Sequence, residues 1–343
     1  MHENTAGFAA DTEILTRRGW LTFDQLADTD EVATRSPAGK FRWQVPTDRR
    51  SGQYDGEMIR FGGRSLDFLV TPNHFMFYSR EGASRAKERV EWAWSIEHLD
   101  GARLIGTSIY DAPDLDGKTF RAIARAAKGP APREITMTGD QYAAFMGMWL
   151  SEGCAFAVAP NHDWRTCISQ TRAGKGYDEY RDVLIDIFGT EPMRNCDSWH
   201  ISSRALYDYL APFGKAKVKY IPREVLDLSR RQLRIFWDFY FLGDGTYATS
   251  DQQVMATASR EMAGNLQEVI QKLGWSASMR SEISAANGLV KSSNLIYKLG
   301  VRKSSCQEYK ASRVPYAGLI YGVTVPDEIA YVRRNGRAAW CIA

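Results

Sequence analysis

At 343 residues the chain exceeds one comfortable domain and suggests two. Apolar residues at 44% and charged residues at 25% are ordinary for a folded protein, which excludes a disordered chain, and no apolar run is long enough to span a membrane. A formal charge of +3 permits a nucleic-acid partner without requiring one, because patches matter more than totals. Five cysteines (Cys154, Cys167, Cys196, Cys306, Cys341) are odd in number and unclustered, so neither a disulfide framework nor a zinc site is expected. With no signal peptide in Met1–Phe8, the expectation is a cytoplasmic protein with no membrane partner.

From Phe8 to about Ile109 the chain reads as short strands and turns. Strands are expected at Glu13–Thr16, Lys40–Val45, Glu57–Phe61, Leu66–Val70 and His74–Tyr78, with a turn at Arg18-Gly19 and a short helix reached through Trp20–Leu26. From Asp111 to about Ser312 longer amphipathic helices alternate with strands. Leu319–Val325, Ala330–Arg333 and Ala338–Ile342 return to β-type sequence, with a turn at Asn335-Gly336. The simplest arrangement is an all-β domain made from residues 1–110 and 313–343, with an α/β domain, residues 111–312, inserted in it. Asp111–Lys118 and Lys310–Tyr316, which contain Pro or Gly, would be the crossings.

Two segments in the inserted region repeat a pattern. Ala144–Ala155 and Phe236–Tyr247 are apolar runs that end in a carboxylate followed by glycine: Glu152-Gly153 and Asp244-Gly245. An acid at a helix C-terminus opposes the negative end of the macrodipole, and two greasy helices carrying such acids make sense if packed together. Both carboxylates would then meet at one point, as a metal-dependent phosphodiesterase requires. The plain alternative is an ordinary helix C-cap, with Gly153 in the left-handed conformation and Glu152 solvated; the repetition favours metal. Gly147 would allow a close helix approach, but its counterpart is Phe239, which casts doubt on a close crossing.

Gly7-Phe8-Ala9-Ala10-Asp11-Thr12-Glu13-Ile14-Leu15 resembles the opening of an intein, a member of the Hedgehog/intein (Hint) superfamily. Val70-Thr71-Pro72-Asn73-His74 resembles its second block, and Ile320–Pro326 with Tyr331–Gly336 and Trp340-Cys341 its closing blocks. The middle of the chain is similar to the LAGLIDADG homing endonucleases that many inteins carry. The resemblance covers nearly the whole chain and implies a horseshoe-like Hint domain plus an inserted endonuclease with pseudo-twofold symmetry. It implies that Thr71 and Asn73 hold a scissile carbonyl while His74 protonates the leaving amide. Two residues depart from the pattern: Gly7 stands where a Cys or Ser nucleophile is needed, and Ala343 where an Asn should cyclise, so splicing of flanking host-protein segments in cis is expected to be disabled. Gly322 likewise replaces an acidic or thiol residue. Engineered substitutions and a gene that lost splicing both explain this.

For the endonuclease, the resemblance implies Mg²⁺, with Mn²⁺ as a substitute, on Glu152 and Asp244, with the carbonyls of Ser151 and Gly243 as further ligands. Lys215-Ala-Lys217-Val-Lys219-Tyr-Ile-Pro222 resembles a basic block in which a lysine before Ile-Pro polarises the attacking water; Lys219 is the first choice and Lys217 the second. Strands bearing Arg165, Gln170 and Arg172, and Gln252–Arg260 and Ser292–Lys298 in the second half, would face double-stranded DNA, with Arg260, Lys215 and Lys217 adding charge. The expected activity is double-strand cleavage at the intein-free host gene by a monomer, in a bacterial, archaeal or phage-infected cell. The alternatives are a free-standing homing endonuclease with a degenerate Hint domain, and a non-cleaving DNA-binding protein.

Overall fold

The computed structural model describes residues 6–80, 88–121, 134–158, 163–249, 252–284, 294–304 and 306–343. These are mostly strands with some helices. The chain divides into two compact units, residues 1–111 with 270–281 and 299–343, and residues 112–269 with 282–298.

In the first unit, strands Phe8–Ala9, Asp48–Gly62, Asp67–Val70 and Lys310–Thr324 close a barrel. Asp48–Gly62 and Lys310–Thr324 are both fifteen residues long and pair antiparallel throughout, from Asp48 opposite Thr324 to Gly62 opposite Lys310. This corrects the sequence expectation, which saw only Glu57–Phe61 and Leu319–Val325 as strand and took Lys310–Tyr316 for a crossing. Along the outer part of the ribbon one face is half-buried and the other exposed, so few apolar residues mark it. The helix expected through Trp20–Leu26 is a strand, Gly19–Thr22, followed by a single 3-10 turn, Phe23–Gln25.

A second layer orders Phe41–Gln44, Val32–Arg35, Glu13–Thr16, Ile329–Arg334 and Arg337–Ile342 side by side. Asn335 (φ 50°) and Gly336 (φ 72°) form the tight turn of its last hairpin, which sets Ile329 opposite Ile342. That turn is anchored on the buried Asp67, which accepts hydrogen bonds from Arg60, Arg334, Asn335 and Arg337. Burial alone would raise its carboxyl; the bonds from Arg60 and Asn335 and the Arg334 charge overcome this and hold it below the usual carboxylate range. Phe8, Ile14, Phe61, Phe68, Val332 and Cys341 share one core, so the two outer segments of the chain build one body.

Residues 270–281 and 299–312 belong to this unit, although the sequence reading puts them in the insert. Ser278 pairs with Arg337, Cys306-Gln307 pairs with Leu104–Ile105, and the Gln307 amide donates to the Ala338 carbonyl.

In the second unit, helices Gly139–Glu152 and Arg230–Asp244 pack on one another. Each starts at a side-chain cap: Thr138 accepts the Gln141 N–H and Ser229 accepts the Gln232 N–H. The first helix runs directly into strand Gly153–Val158, the edge of a sheet that continues through Asp163–Ser169, Ser198–Ser202 and Met193–Asn195. The second runs into strand Gly245–Tyr247, which pairs with Gln253–Thr257.

Candidate active sites

The first candidate lies where the outer segments converge. The Gly7 N–H donates to Thr71 Oγ1 at 3.1 Å, and the Thr71 N–H donates to the Gly7 carbonyl at 3.0 Å. The Thr71 carbonyl accepts the His74 N–H at 3.0 Å, which bends the Thr-Pro-Asn-His turn so that the His74 ring points inward. His74 Nε2 donates to the Ile342 carbonyl at 3.0 Å. A carbonyl can only accept, so the neutral ring carries its proton on Nε2, and the buried Nδ1 has no partner. Burial lowers His74 to about 4, only partly opposed by the Ile342 bond. Ala6, Asn73, His74, Gly322, Ile342 and Ala343 line a cavity of about 310 Å³. Burial also pushes the Cys341 thiol, 3.6 Å from His74 Nε2, up to about 12.

The two glycines here differ. A Cβ on Gly7 would stand 3.0 Å from the Tyr321 carbonyl oxygen and 3.2 Å from Ile320, whereas a Cβ on Gly322 would stand 3.7 Å from the Ala6 carbonyl oxygen, in ordinary contact.

The second candidate is the end-to-end meeting of the acidic helices. A Cβ on Gly147 would lie 2.5 Å from the Phe236 carbonyl oxygen and 2.9 Å from Phe239 Cβ, so the helices cross as closely as backbone allows. Phe239 therefore does not prevent the close crossing; it packs over the glycine. One turn on, a Cβ on Gly243 would lie 2.5 Å from Ser151 Oγ and 2.9 Å from Glu152 Cγ, which brings the two acid-bearing ends together.

The glycines after the acids are not left-handed caps. Gly153 (φ −94°) and Gly245 (φ −87°) are extended, which removes the plain C-cap alternative. They are glycine because a Cβ would strike the aromatic ring four residues back, Trp149 at 2.3 Å and Phe241 at 2.1 Å.

Burial raises Glu152 above the usual carboxylate range, opposed by Lys219. Burial, then the Glu152 charge, pushes Asp244 up to about 7, while a hydrogen bond with Tyr240 and the Lys219 charge pull it back. Lys219 is buried, and its ammonium donates to the carbonyls of Trp149 (2.8 Å), Leu150 (3.0 Å) and Gly153 (2.8 Å). Burial lowers it to about 8 against the attraction of Asp244, Cys154 and Glu152. All three ammonium donors are occupied, so Lys219 is fixed as a cation at the helix end, where it complements the macrodipole. Lys217 is exposed, as is Lys215.

Sequence reasoning missed Lys175. Its ammonium donates to the Gly245 carbonyl and lies 4.7 Å from the centre of the Phe241 ring, as Lys219 bonds Gly153 and lies 4.6 Å from the centre of Trp149. No motif flags it, since it sits in the Ala173-Gly174-Lys175-Gly176 loop far from either acid in sequence. Tyr180, which donates to the Phe239 carbonyl at 2.8 Å and bonds Ser151, was also missed.

Of the expected DNA-facing residues, Arg165 lies on strand Asp163–Ser169, opposite Phe156 and Ser202, while the intervening Thr166 is fully buried. Gln170 donates to the Lys175 carbonyl, Arg172 is exposed, and Arg260 is exposed at the start of helix Arg260–Lys272. Ser292 and Ser293 lie outside the described residues. Among the described residues no group of three or more His, Cys, Asp and Glu side chains has a metal-binding arrangement, so any cation here rests on two carboxylates and backbone oxygens.

No family model matches the chain. It is similar to the DNA-directed RNA polymerase subunit beta C-terminal section of Stigeoclonium helveticum, 23% identical over 391 residues, covering 96% of this chain and 36% of that protein. It is also similar to the ATP-dependent Clp protease proteolytic subunit of Chlamydomonas moewusii, 20% identical over 323 residues, 89% of this chain and 32% of that protein. The chain spans about a third of the length of these curated relatives.

Similar solved structures include a splice-inactive, GSH-linked variant of the AceL NrdHF class 3 split intein, at 19% identity over 39% of this chain and 71% of that one, with a TM-score of 0.26. The homing endonuclease I-WcaI bound to its DNA recognition sequence is similar at 12% identity over 48% of this chain and 76% of that one, with a TM-score of 0.28. Likeness at this level assigns the chain no family and no activity.

Proposed function

We propose that the chain is an intein-type element whose splicing centre is disabled and whose inserted domain is a metal-dependent, LAGLIDADG-type DNA endonuclease with pseudo-twofold symmetry. The observation that carries the reading is the crossing of the two acidic helices, close enough that Gly147 and Gly243 admit no side chain beside Glu152 and Asp244. In that crossing Gly147 meets Phe239 and Gly243 meets Ser151, each the counterpart of the other in the repeated motif. Contacts between a residue and its own counterpart support the pseudo-twofold reading. Similarity to about a third of each of two proteins with unrelated names fits an element inserted into different hosts.

The donor set suits a hard divalent cation: Glu152 and Asp244 as carboxylates, with the carbonyls of Ser151 and Gly243 as the further ligands. Bound there, Mg²⁺, or Mn²⁺ in its place, would supply positive charge to the phosphate oxygens of the scissile bond. The protein's own part is to hold the acids. Lys219 and Lys175 tie down the carbonyls that follow each acid, and the buried crossing keeps the two ends together. Arg165, Gln170, Arg172, Lys215, Lys217 and Arg260 would contact double-stranded DNA, chiefly its phosphates.

At the other centre, Thr71, Asn73 and His74 would orient a peptide bond for which Gly7 offers no nucleophile, so no ester or thioester forms. The tight surroundings of Gly7 favour a second reading, a free-standing homing endonuclease that has kept the Hint-type body as a scaffold.

The test is selection of cut sites from a randomised duplex library with Mg²⁺, followed by cleavage of the selected site. The parent should cut both strands, while Glu152→Gln and Asp244→Asn should bind the site and cut it about 100-fold more slowly or less. Parental cutting by both variants would refute the assignment.

A further inference from the structure

The strand that follows Glu152 carries a second chemistry. Cys154 on Gly153–Val158 is directly opposite Cys167 on Asp163–Ser169, and Cys167 is directly opposite His200 on Ser198–Ser202. The three side chains form one row across three strands on the face that also bears Arg165. Cys167 Sγ is 3.1 Å from His200 Nδ1. Cys154 is exposed, Cys167 is buried, and neither is in a disulfide. The sequence reading, which found the cysteines unclustered, could not see this pair, because only strand register brings it together.

We propose that Cys154 and Cys167 are a redox-active dithiol: Cys154 is the site of attack by a hydroperoxide and Cys167 the resolving thiol. Directly opposite residues in an antiparallel pair have Cα atoms about 4.5–5.5 Å apart, and a disulfide spans about 4.4–6.8 Å, so the bond closes without strand movement. Exposure assigns the order. The Cys154 sulfur attacks the outer oxygen of the peroxide, the O–O bond breaks, and the thiol proton leaves with the second oxygen as water (or alcohol), giving a sulfenic acid. The Cys167 sulfur then attacks the Cys154 sulfur, the S–O bond breaks, and the hydroxyl leaves as water with the Cys167 proton, for which His200 is the adjacent acceptor. Two thiols lose two electrons in total and the peroxide gains them. The neighbouring strand thus fixes the first product as a disulfide before further oxidation of Cys154. The inference does not depend on the nuclease reading, although Cys154 lies two residues beyond Glu152.

The full chain is treated with hydrogen peroxide, its remaining thiols are alkylated, and it is digested without reduction. The expected result is a fall from five alkylatable thiols to three, a linked peptide pair containing Cys154 and Cys167, and full return on adding dithiothreitol. Cys167→Ser should abolish the link and leave a Cys154 sulfenic acid that dimedone traps; if that variant does not fold, Cys154→Ser, at an exposed position, should abolish the link and keep Cys167 reduced. A parent that keeps five thiols, links Cys154 to another chain, or carries Cys154 to the sulfinic acid unlinked would overturn the proposal.

Discussion

Replacing Gly147 and Gly243 by alanine separates what the helix crossing does for stability from what it does for the acids. At Gly147 the added carbon meets the Phe236 carbonyl oxygen at 2.5 Å and the Tyr240 nitrogen at 3.0 Å, both backbone, with Phe239 Cβ at 2.9 Å. None can rotate away, so the helices must separate, and overpacking of this kind costs about 3 kcal/mol. Alanine returns about 1 kcal/mol through helix propensity. The net loss is about 2 kcal/mol, or a fall in Tm of about 4–8 °C for a unit of this size. At Gly243 the new carbon meets Ser151 Oγ at 2.5 Å and Glu152 Cγ at 2.9 Å, which can swing aside, and Ser151 Cβ at 2.7 Å, which cannot, so this end of the crossing must open as well. Stability should fall by about 1 kcal/mol, less than at Gly147, because no backbone atom is struck and the propensity gain offsets part of the contact. The Glu152 carboxylate moves too, and a displacement of about 1 Å at a reacting centre costs up to about 100-fold in rate. Thermal melts by circular dichroism and cleavage rates with Mg²⁺ read the two effects. If Gly147→Ala melts with the parent, or Gly243→Ala cuts at the parental rate, the crossing is not the element that positions the acids.

Lys219→Met should destabilise the chain by about 2–3 kcal/mol, since three carbonyls lose a buried cationic donor, and the midpoint of urea unfolding reports it. Lys175→Met, at an exposed position with one such carbonyl, should cost about 1 kcal/mol or less, and both variants should slow cutting; unequal effects on the two DNA strands would assign each lysine to its own acid. His74 should make stability fall in acid. Its folded value of about 4 lies below the unfolded 6.5, so between those pH values the unfolded chain binds the extra proton and about 3 kcal/mol is lost as pH falls through the window. Denaturant unfolding of the parent at pH 7.5 and 4.5 should show this slope and His74→Gln should lack its share; equal slopes would place the acid sensitivity elsewhere. Gly7→Cys with Ala343→Asn, placed between flanking segments, should still fail to splice on electrophoresis, because the new Cβ presses on Tyr321 and Ile320.

The acid pair was legible because the motif occurs twice, and the reason it repeats is physical: each acid must be followed by glycine, since the aromatic ring one turn back occupies the Cβ position. The chain-end convergence was legible through Thr71 and His74, whose spacing is short and local. The ribbon of Asp48–Gly62 and Lys310–Thr324 was only partly legible, because a strand pair with little buried surface lacks the apolar alternation that announces a strand. Lys175 and the pairing of Cys154 with Cys167 were not legible at all. Each depends on where a loop or a strand register delivers a residue, and sequence spacing carries neither.

The two glycines at the first centre differ in the room around them. At Gly7 the Tyr321 carbonyl and Ile320 stand 3.0 and 3.2 Å from where a Cβ would lie, so a side chain there needs its neighbours to give by a few tenths of an ångström, and Phe8 is in register with Tyr321 immediately beside it. Gly322 is the opposite case, with ordinary room for a side chain directed at the Ala6 carbonyl oxygen. The groups that would orient a peptide, Thr71 and His74, are still hydrogen-bonded to Gly7 and Ile342. The convergence of the outer segments does not hang on the residue at position 7, because Phe8 and Cys341 belong to the core that holds the unit together.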